Sequence, residues 1–355
     1  MGFFNYRIRI HIMPTSNAKK SRILTGIQPS GDMQLGNYLG AVKHWVMNQD
    51  IQTNFIPVVD LHSITVKQDP EELSRNTLSL VAMLIACGVD PEKSTLFIQS
   101  HISAHAVLSW ILNCTTPVGW LERMIQYKEK SHNQERVSTG LLTYPILMAA
   151  DILIYDADEV PVGEDQKQHV ELTRDIAERF NNLYGETFVL PKAVVPKVGA
   201  RVMGLDNPSL KMSKSYAHIR GHAISMLDDP KEIDRSIKRA VTDSFNEICF
   251  SSDKERAGVN NLLGIYQVIT GKTFTEVEND FNDARGYGDL KSRVSEVVIS
   301  EIEPIQKRYH ELINNSPELE SLIQKGDDLA KQYADPKLDV VLGKVGLHRN
   351  GHSGV

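Results

Sequence analysis

Residues 22–31 have the sequence RILTGIQPSG, in which an apolar run leads into a glycine-rich turn. The run from Arg22 to Ile27 predicts a strand, and the later segment from Leu35 to Asn48 has the apolar spacing of a helix. Glycines let a backbone approach a ligand closely, and N–H groups at a helix start attract anions. The turn from Gly26 to Gly31, with Gly36-Asn37 at the helix start, therefore indicates a phosphate site. A strand-to-helix turn without a ligand is the plainer alternative.

The alternation of strands and helices continues for a further hundred residues. Asn54 to Asp60 and Thr95 to Gln99 predict strands, while Pro70 to Cys87 and Ala104 to Asn113 predict helices. Such alternation implies parallel pairing with right-handed crossovers, so we expect a doubly wound, Rossmann-like α/β sheet. Ligands of these sheets bind at the carboxyl ends of the strands, where the glycine-rich turn lies.

The pattern changes after the first two thirds of the chain, because amphipathic helical segments dominate from Pro230 onward. We expect an α/β domain at residues 21–224 and a smaller helical domain at 225–347, whose last helix could pack back on the sheet. The tail at 348–355 has no core-forming residues, and we expect it to be disordered.

The first twenty residues are basic and contain no acid. Such a start is typical of organelle import, but isoleucines alternating with arginines between Tyr6 and Ile12 fit an edge strand better than a targeting helix. We expect residues 1–20 to form a disordered or loosely attached extension.

Composition limits the class of protein. The chain has 355 residues, 41% of them hydrophobic, and its longest apolar run, Leu80 to Cys87, is far shorter than the roughly 18 residues of a membrane span. We therefore expect a soluble protein. The three cysteines show no paired spacing, which fits a reducing, cytoplasmic compartment. A net charge of -6 argues against broad nucleic-acid binding but permits a local basic surface.

A second motif, Lys211-Met212-Ser213-Lys214-Ser215, lies far downstream of the glycine-rich turn. Ammonium groups are almost never buried without a partner, so these lysines must face solvent or an anion. A solvated surface turn would explain an isolated pair of lysines. Combined with the glycine-rich turn, the pair indicates a nucleotide site.

One helical face combines three kinds of side chain. Tyr144, Met148 and Asp151 share this face by their i, i+4 and i+7 spacing. An indole needs apolar walls and an acceptor for its N–H, and this face offers both. In the alternative, Asp151 caps a helix or pairs with a basic residue, and Met148 belongs to the core.

Two histidines, His101 and His105, are spaced i, i+4 and could ligate a metal. Position 102 is isoleucine, so the zinc-protease pattern is missing, and we expect both to be surface histidines. We expect no metal ligated by the protein.

The motifs together resemble one family. The sequence GIQPSG at 26–31, LGNYLG at 35–40, the run from Leu142 to Asp151, GEDQ at 163–166 and KMSKS at 211–215 are similar to bacterial-type tryptophanyl-tRNA synthetases, which are class I aminoacyl-tRNA synthetases. The resemblance extends from about Ile23 to at least Ser244.

This resemblance implies an activity and its partners. The enzyme would activate L-tryptophan with ATP to tryptophanyl-adenylate, release pyrophosphate, and transfer tryptophan to the 3′ end of tRNA(Trp). Mg²⁺ would bind through the ATP phosphates. The resemblance also implies a homodimer and C-terminal helices that contact the anticodon.

The resemblance further implies site residues. Those expected at ATP are Gln28, Pro29, Ser30, Gly36, Asn37, Gly163, Glu164, Asp165, Val202, Lys211, Met212, Ser213, Lys214 and Ser215, of which Lys211, Ser213 and Lys214 would be catalytic. Those expected at tryptophan are His62, Tyr144, Met148, Asp151 and Gln166. The acids after Gly163 would also serve as simple helix caps, and His62 as a satisfied structural histidine.

The family signature of this class often begins with His or Thr, but Gln34 stands there. Its amide can hydrogen-bond a phosphate oxygen but cannot carry charge, so we expect a role in orientation only. Two other classes remain open: a tyrosyl-tRNA synthetase, and a non-catalytic paralogue that binds tryptophan or RNA.

Overall fold

Five parallel strands form one sheet in the computed structural model, which describes residues 20–132, 137–194, 201–212, 219 and 221–347. The strands are β1 Arg22–Leu24, β2 Thr53–Val58, β3 Ser94–Ile98, β4 Glu159–Pro161 and β5 Lys192–Val194. Their order is β3-β2-β1-β4-β5, so the chain builds outward from β1 to one edge and then returns to build the other. The predicted doubly wound sheet is confirmed, and its topological switch point lies between β1 and β4. The predicted extension at 1–20 lies, apart from Lys20, outside the described residues, as does the tail at 348–355.

Fourteen α-helices occur among the described residues. They are α1 Leu35–Asn37, α2 Lys43–Asn48, α3 Asp60–Ser63, α4 Pro70–Ala86, α5 Ser103–Thr115, α6 Val118–Glu122, α7 Ile125–His132, α8 Thr139–Leu153, α9 Lys167–Tyr184, α10 Pro230–Lys238, α11 Ala257–Thr270, α12 Phe274–Asp280, α13 Tyr287–Asn314 and α14 Ser316–Lys344. A π-helical segment, Tyr38–Val42, joins α1 to α2, so the helix predicted there is interrupted. Single π-helical turns inside helices occur frequently at functional sites.

The two faces of the sheet build two hydrophobic cores. Along β2, Phe55 points to one face and Ile56 and Val58 to the other, as the period-2 geometry of a strand requires. The first core joins α1, α2 and α4 to the helices that follow residue 230, and the second joins α5, α8 and α9 to the end of α14. Helices therefore cover both faces of the sheet.

Helix α14 passes from one core to the other. Leu319 and Ile323 near its start are buried in the first core, while Ala330, Leu338 and Val341 are buried in the second. Between these positions the helix crosses the outer edge of β3. A Cβ atom on Gly326 would lie 1.7 Å from the Leu96 carbonyl oxygen, so only glycine fits at the crossing.

None of the helices among the described residues is long and apolar enough to cross a bilayer.

Candidate active site

The glycine-rich turn lies at the carboxyl end of the sheet. The Thr25 and Ile27 N–H groups donate to the Phe55 and Pro57 carbonyls at 3.0 and 3.2 Å, which continues the pairing with β2 beyond the end of β1. The backbone then leaves the sheet and enters α1. Residues of this turn consequently face the rim where ligands of doubly wound sheets bind.

The start of the lysine motif packs against the start of α1. Met212 is fully buried, and a Cβ atom on Gly36 would lie 3.1 Å from the Met212 carbonyl oxygen. Met203 pairs with Lys211 in an antiparallel bridge, and the Met212 N–H donates to Val202 at 3.0 Å. The structure therefore brings Lys211 to the start of α1, although Lys211 and Gly36 are 175 positions apart in the sequence. Ser213, Lys214 and Ser215 lie outside the described residues.

Asn261 fixes this segment from α11. Its side chain accepts from the Met203 N–H at 2.8 Å and donates to the Met203 carbonyl at 2.9 Å. No sequence pattern marks this residue, because a buried asparagine in an amphipathic helix resembles any other polar position. Val202, expected at adenine, packs in the core, and its neighbour Arg201 lines the adjacent cleft.

A cleft of about 580 Å³ lies between α1, α2 and the strands β1 and β4. Of the residues expected at ATP, those in its wall are Gly36, Asn37, Gly163 and Lys211. Arg201 and Lys211 bring two cations to its wall against one acid, Glu159, and a cationic wall suits a polyphosphate. We refer to this space as the nucleotide cleft.

The other described residues expected at ATP do not line the nucleotide cleft. Pro29 is buried, Ser30 and Glu164 are exposed, and Gln28 lines a second cleft described below. The side chain of Asp165 lies outside the described residues. Gln34 is buried and its amide donates to the Asp32 carbonyl at 3.2 Å, while its backbone N–H donates to Asn37 Oδ1 at 3.3 Å. Gln34 thus shapes the entry into α1.

The second cleft has a volume of about 400 Å³ and lies beside the first. All five residues expected at tryptophan line it: His62, Tyr144, Met148, Asp151 and Gln166. Apolar side chains complete its walls, among them Leu24, Val59 and Val162. A mostly apolar cleft with a few convergent polar groups is typical of a small-molecule site. We refer to this space as the amino-acid cleft.

Asp151 is the buried charge of the amino-acid cleft, with 2% of its surface exposed. His105 Nδ1 donates to Oδ1 at 2.6 Å, His62 Nε2 donates to Oδ2 at 2.9 Å, and Gln99 Nε2 lies 2.8 Å from both oxygens. Burial alone would raise the pKa of Asp151, but the hydrogen bonds from His105 and His62 outweigh it and lower the pKa to about 2. The carboxylate is therefore ionised at neutral pH.

The prediction that His105 lies at the surface is wrong. His105 is fully buried, and its Nε2 lies 2.8 Å from the Tyr155 hydroxyl while its Nδ1 faces Asp151. A buried histidine needs polar partners on both nitrogens, and these come from positions 46 and 50 residues away. His101 is more exposed, as predicted, although it pairs with Asp327.

Two residues that the sequence did not single out also serve this cleft. Gln99 is fully buried at the end of β3, and the only signal for it was its place at the carboxyl end of a strand. Gln126 lines the cleft and lies 3.3 Å from the Tyr144 hydroxyl, which also lies 2.8 Å from His169 Nε2. Burial raises the pKa of Tyr144 to about 12, so its hydroxyl stays protonated.

The two clefts share a wall. Its residues are Thr25, Gly26, Pro161, Val162 and Gly163, which come from the ends of β1 and β4 on either side of the topological switch point. Two molecules bound in the two clefts would meet there. Among the described residues, no group of three or more His, Cys, Asp or Glu side chains is placed to hold a metal ion.

Comparison with known proteins agrees with this arrangement. The family model for class I tRNA synthetases of tryptophan and tyrosine matches residues 16–303. The chain therefore belongs to this family of aminoacyl-tRNA synthetases. Within it, the chain groups with the bacterial tryptophan enzymes: it is 51% identical over 326 residues to a tryptophan–tRNA ligase of Caldanaerobacter subterraneus subsp. tengcongensis, covering 92% of this chain and 98% of that protein.

Solved structures give the same family. Tryptophanyl-tRNA synthetase from Mycoplasma pneumoniae superposes with a TM-score of 0.83 at 37% identity, covering 93% of this chain and 99% of that chain. The Campylobacter jejuni enzyme, solved with ADP and tryptophan, superposes with a TM-score of 0.80 at 36% identity, covering 92% and 100%.

Proposed function

We propose that the chain is a tryptophan–tRNA ligase that uses the two clefts for its two small substrates, with tryptophan in the amino-acid cleft and ATP in the nucleotide cleft. The tryptophan carboxylate attacks the α-phosphorus of ATP, the bond to the β-phosphate breaks, and pyrophosphate leaves. A ribose hydroxyl at the 3′ end of tRNA(Trp) then attacks the carbonyl carbon of the adenylate, and AMP leaves.

Selection of tryptophan depends on Asp151. The indole N–H is the only polar group of the side chain, and a buried carboxylate is an acceptor for it. Because Gln99, His105 and His62 already donate to Asp151, the N–H must share an oxygen with one of them. His62 lines the cleft, so it is the donor that can shift and share Oδ2 with the indole N–H. Met148 and the apolar wall bury the ring, and Tyr144 and Gln166 also line the cleft.

Catalysis at the phosphates depends on charge and position. Lys211 and Lys214 would hold the β- and γ-phosphates, Ser213 would hydrogen-bond them, and Mg²⁺ would enter with ATP and be held by its phosphates. Glycines at 36 and 163 let the nucleotide approach the backbone. Little covalent work is left for the protein, since in-line attack needs mainly orientation and charge stabilisation.

The observation that carries the proposal is the wall that the two clefts share. It supports a geometry in which a carboxylate at one side of Gly26 and Gly163 meets a phosphate at the other. Neither cleft alone would distinguish an enzyme from a tryptophan-binding paralogue. Lys211 at the nucleotide cleft further favours the enzyme.

Pyrophosphate exchange tests the proposal. With purified protein, tryptophan should drive exchange and tyrosine should not. Lys211→Ala should reduce the exchange rate by about 10²- to 10³-fold, and Lys214→Ala should do the same. Lys231→Ala, an exposed lysine of α10, is the matched control and should leave the rate unchanged. Tryptophan binding without exchange would instead identify a non-catalytic paralogue.

We also propose a homodimer. Helix α5 exposes Val107 and Trp110, whose spacing of three residues puts them on one face, with 70% of the Trp110 surface accessible. Val118 of α6 is also exposed. Exposed apolar surface of this kind is typical of an interface. Sedimentation should give about twice the mass of the chain, and Trp110→Glu should give the monomer.

The remaining assignments follow from the reaction. We propose residues 21–224 as the catalytic domain and 225–347 as the helical domain that contacts the tRNA anticodon. We place the enzyme in the cytoplasm, where its tRNA is charged. The cysteines at 87, 114 and 249 are free, which fits a reducing compartment.

A further inference from the structure

A carboxylate of the long C-terminal helix binds the edge of β3. Beside the crossing at Gly326, Asp327 Oδ1 accepts from the Ile98 N–H at 3.3 Å. Ile98 ends β3, and the Leu96 carbonyl next to it faces Gly326. The helix thus replaces the missing neighbouring strand at the carboxyl end of β3.

The same carboxylate holds the residues that follow. Asp327 Oδ2 lies 2.6 Å from His101 Nδ1, which donates to it. The 3-10 turn Gln99–His101 lies between the two anchors, one on the backbone before it and one on the side chain at its end. Asp327 is only 3% exposed, and its contact with the Ile98 N–H is buried, whereas its contact with the exposed His101 ring reaches the surface.

The residue in the middle of this clamp serves the amino-acid cleft. Gln99 Nε2 lies 2.8 Å from both oxygens of Asp151, and Gln99 Oε1 accepts from the Leu61 N–H at 3.1 Å. Leu61 precedes His62, which donates to the same carboxylate. A displacement of the turn would therefore move two of the three donors that fix Asp151.

Ser100 provides a second, independent attachment. Its N–H donates to Asp60 Oδ1 at 3.0 Å, and its hydroxyl donates to Asp60 Oδ2. This attachment keeps the turn at the rim of the sheet when Asp327 is changed. Loss of Asp327 should thus loosen the orientation of Gln99 without detaching the whole segment.

We propose that Asp327 is a positioning residue for tryptophan recognition: from the C-terminal helix it clamps the turn at 99–101, so that Gln99 holds Asp151 in the orientation that accepts the indole N–H. The proposal rests on the assignment of tryptophan to the amino-acid cleft. It gives a residue of the C-terminal helix a part in choosing the amino acid.

Three variants test whether Asp327 positions the tryptophan site or only stabilises the fold. Asp327→Ala removes both acceptors and should raise the KM for tryptophan in pyrophosphate exchange by about tenfold, the equivalent of one well-placed hydrogen bond, with the KM for ATP unchanged. Asp327→Asn should rescue the enzyme, because its oxygen still accepts from Ile98 and its amide can donate to the other tautomer of His101. Asp328→Asn, one residue further on the exposed face, is the control and should behave as wild type.

Two further measurements decide whether Asp327 acts through Gln99. The preference for tryptophan over tyrosine should fall in Asp327→Ala, since tyrosine has no indole N–H. In a Gln99→Met background, Asp327→Ala should cause no additional rise in the tryptophan KM. Equal rises in the KM for tryptophan and ATP, or additive effects of the two substitutions, would overturn the proposal. Failure of the wild-type protein to use tryptophan would instead overturn the proposed function.

Discussion

The hydroxyl of Tyr38 donates to Glu301 Oε1 at 2.6 Å, across 263 positions of sequence. Lys43 Nζ donates to the same oxygen at 2.7 Å. One carboxylate of α13 therefore binds the first residue of the π-helical segment and the residue that directly follows it, beside the nucleotide cleft. Burial and the charge of Glu301 raise the pKa of Tyr38 far above its ordinary value, which keeps the donor protonated. The helix that lines the nucleotide cleft is thereby fixed to the helical part of the chain.

Glu301→Gln tests this attachment. The substitution leaves Lys43 half-buried without its counter-charge, and we expect the KM for ATP to rise several-fold while the KM for tryptophan stays constant. Titration of each substrate in pyrophosphate exchange measures both constants. Glu303→Gln, an exposed neighbour on α13, should change neither. A selective loss of tryptophan binding in Glu301→Gln would contradict the expectation.

The depressed pKa of Asp151 gives a prediction about pH. A carboxyl whose folded pKa lies at about 2, below its ordinary value of 3.8, contributes stability above pH 4 that is lost as pH falls through 2. Tryptophan binding by the wild type should therefore show no titration of Asp151 between pH 5 and 8.

His105→Leu removes one of the donors that lower this pKa, while burial still raises it. In this variant the Asp151 pKa should rise, and tryptophan binding should begin to weaken at a higher pH than in the wild type. Calorimetric titration at several pH values measures the effect. His310→Leu, on the exposed side of α13, is the control. Parallel pH profiles for His105→Leu and wild type would show that His105 does not set the charge of Asp151.

Gly204 has no space for a side chain. A Cβ atom there would lie 2.2 Å from the His222 ring, which is buried and whose Nδ1 lies 2.5 Å from Asp206 Oδ1. Gly204→Ala should displace the segment that carries Lys211 and reduce exchange by about tenfold or more, with a stability loss of about 1–3 kcal/mol.

A second substitution identifies the cause. His222→Ala together with Gly204→Ala removes the clash and should recover part of the exchange rate lost in Gly204→Ala alone. Gly264→Ala on α11, where a Cβ atom meets nothing, should be tolerated. If the double variant is no better than Gly204→Ala, the ring is not the obstacle.

Two glycines of α14 form a matched pair. A Cβ atom on Gly326 would collide with the backbone of β3, whereas one on Gly343 meets nothing. Gly326→Ala should cost about 3 kcal/mol of unfolding free energy, since backbone cannot yield easily. Gly343→Ala should be neutral or stabilise by up to about 1 kcal/mol, because alanine favours helix. Chemical denaturation measures both, and similar values for the two would exclude a tight crossing.

The doubly wound fold could be predicted because β2, α4 and β3 are long enough to show their periods. β1 is as short as β4 and β5, but the apolar run that contains it continues its pairing with β2 through Thr25 and Ile27. β4 and β5 have only three residues each, too few for a pattern, and they take their places through pairing with β1 and with each other. The π-helical segment could not be predicted from the sequence either, because a one-residue shift in hydrogen bonding hardly changes the spacing of apolar residues.

The amino-acid cleft was easier to predict than its supports. Tyr144, Met148 and Asp151 share a face that local spacing reveals, and the alternative, pairing of Asp151 with a basic residue, also occurs through His62 and His105. Gln99 and Asp327 act across long sequence separations, and no local pattern marks them. Positions 213–215 lie outside the described residues, so the roles of Ser213 and Lys214 stay predictions.

The crossing of α14 over β3 has a consequence for synthesis on the ribosome. Ile98 and Asp327 are 229 residues apart. At ordinary translation rates the outer edge of β3 is therefore made roughly ten to fifty seconds before the part of α14 that covers it. During that interval the nascent chain presents unpaired strand groups to other nascent chains. Co-translational chaperones that shield such edges should therefore raise the yield of folded protein.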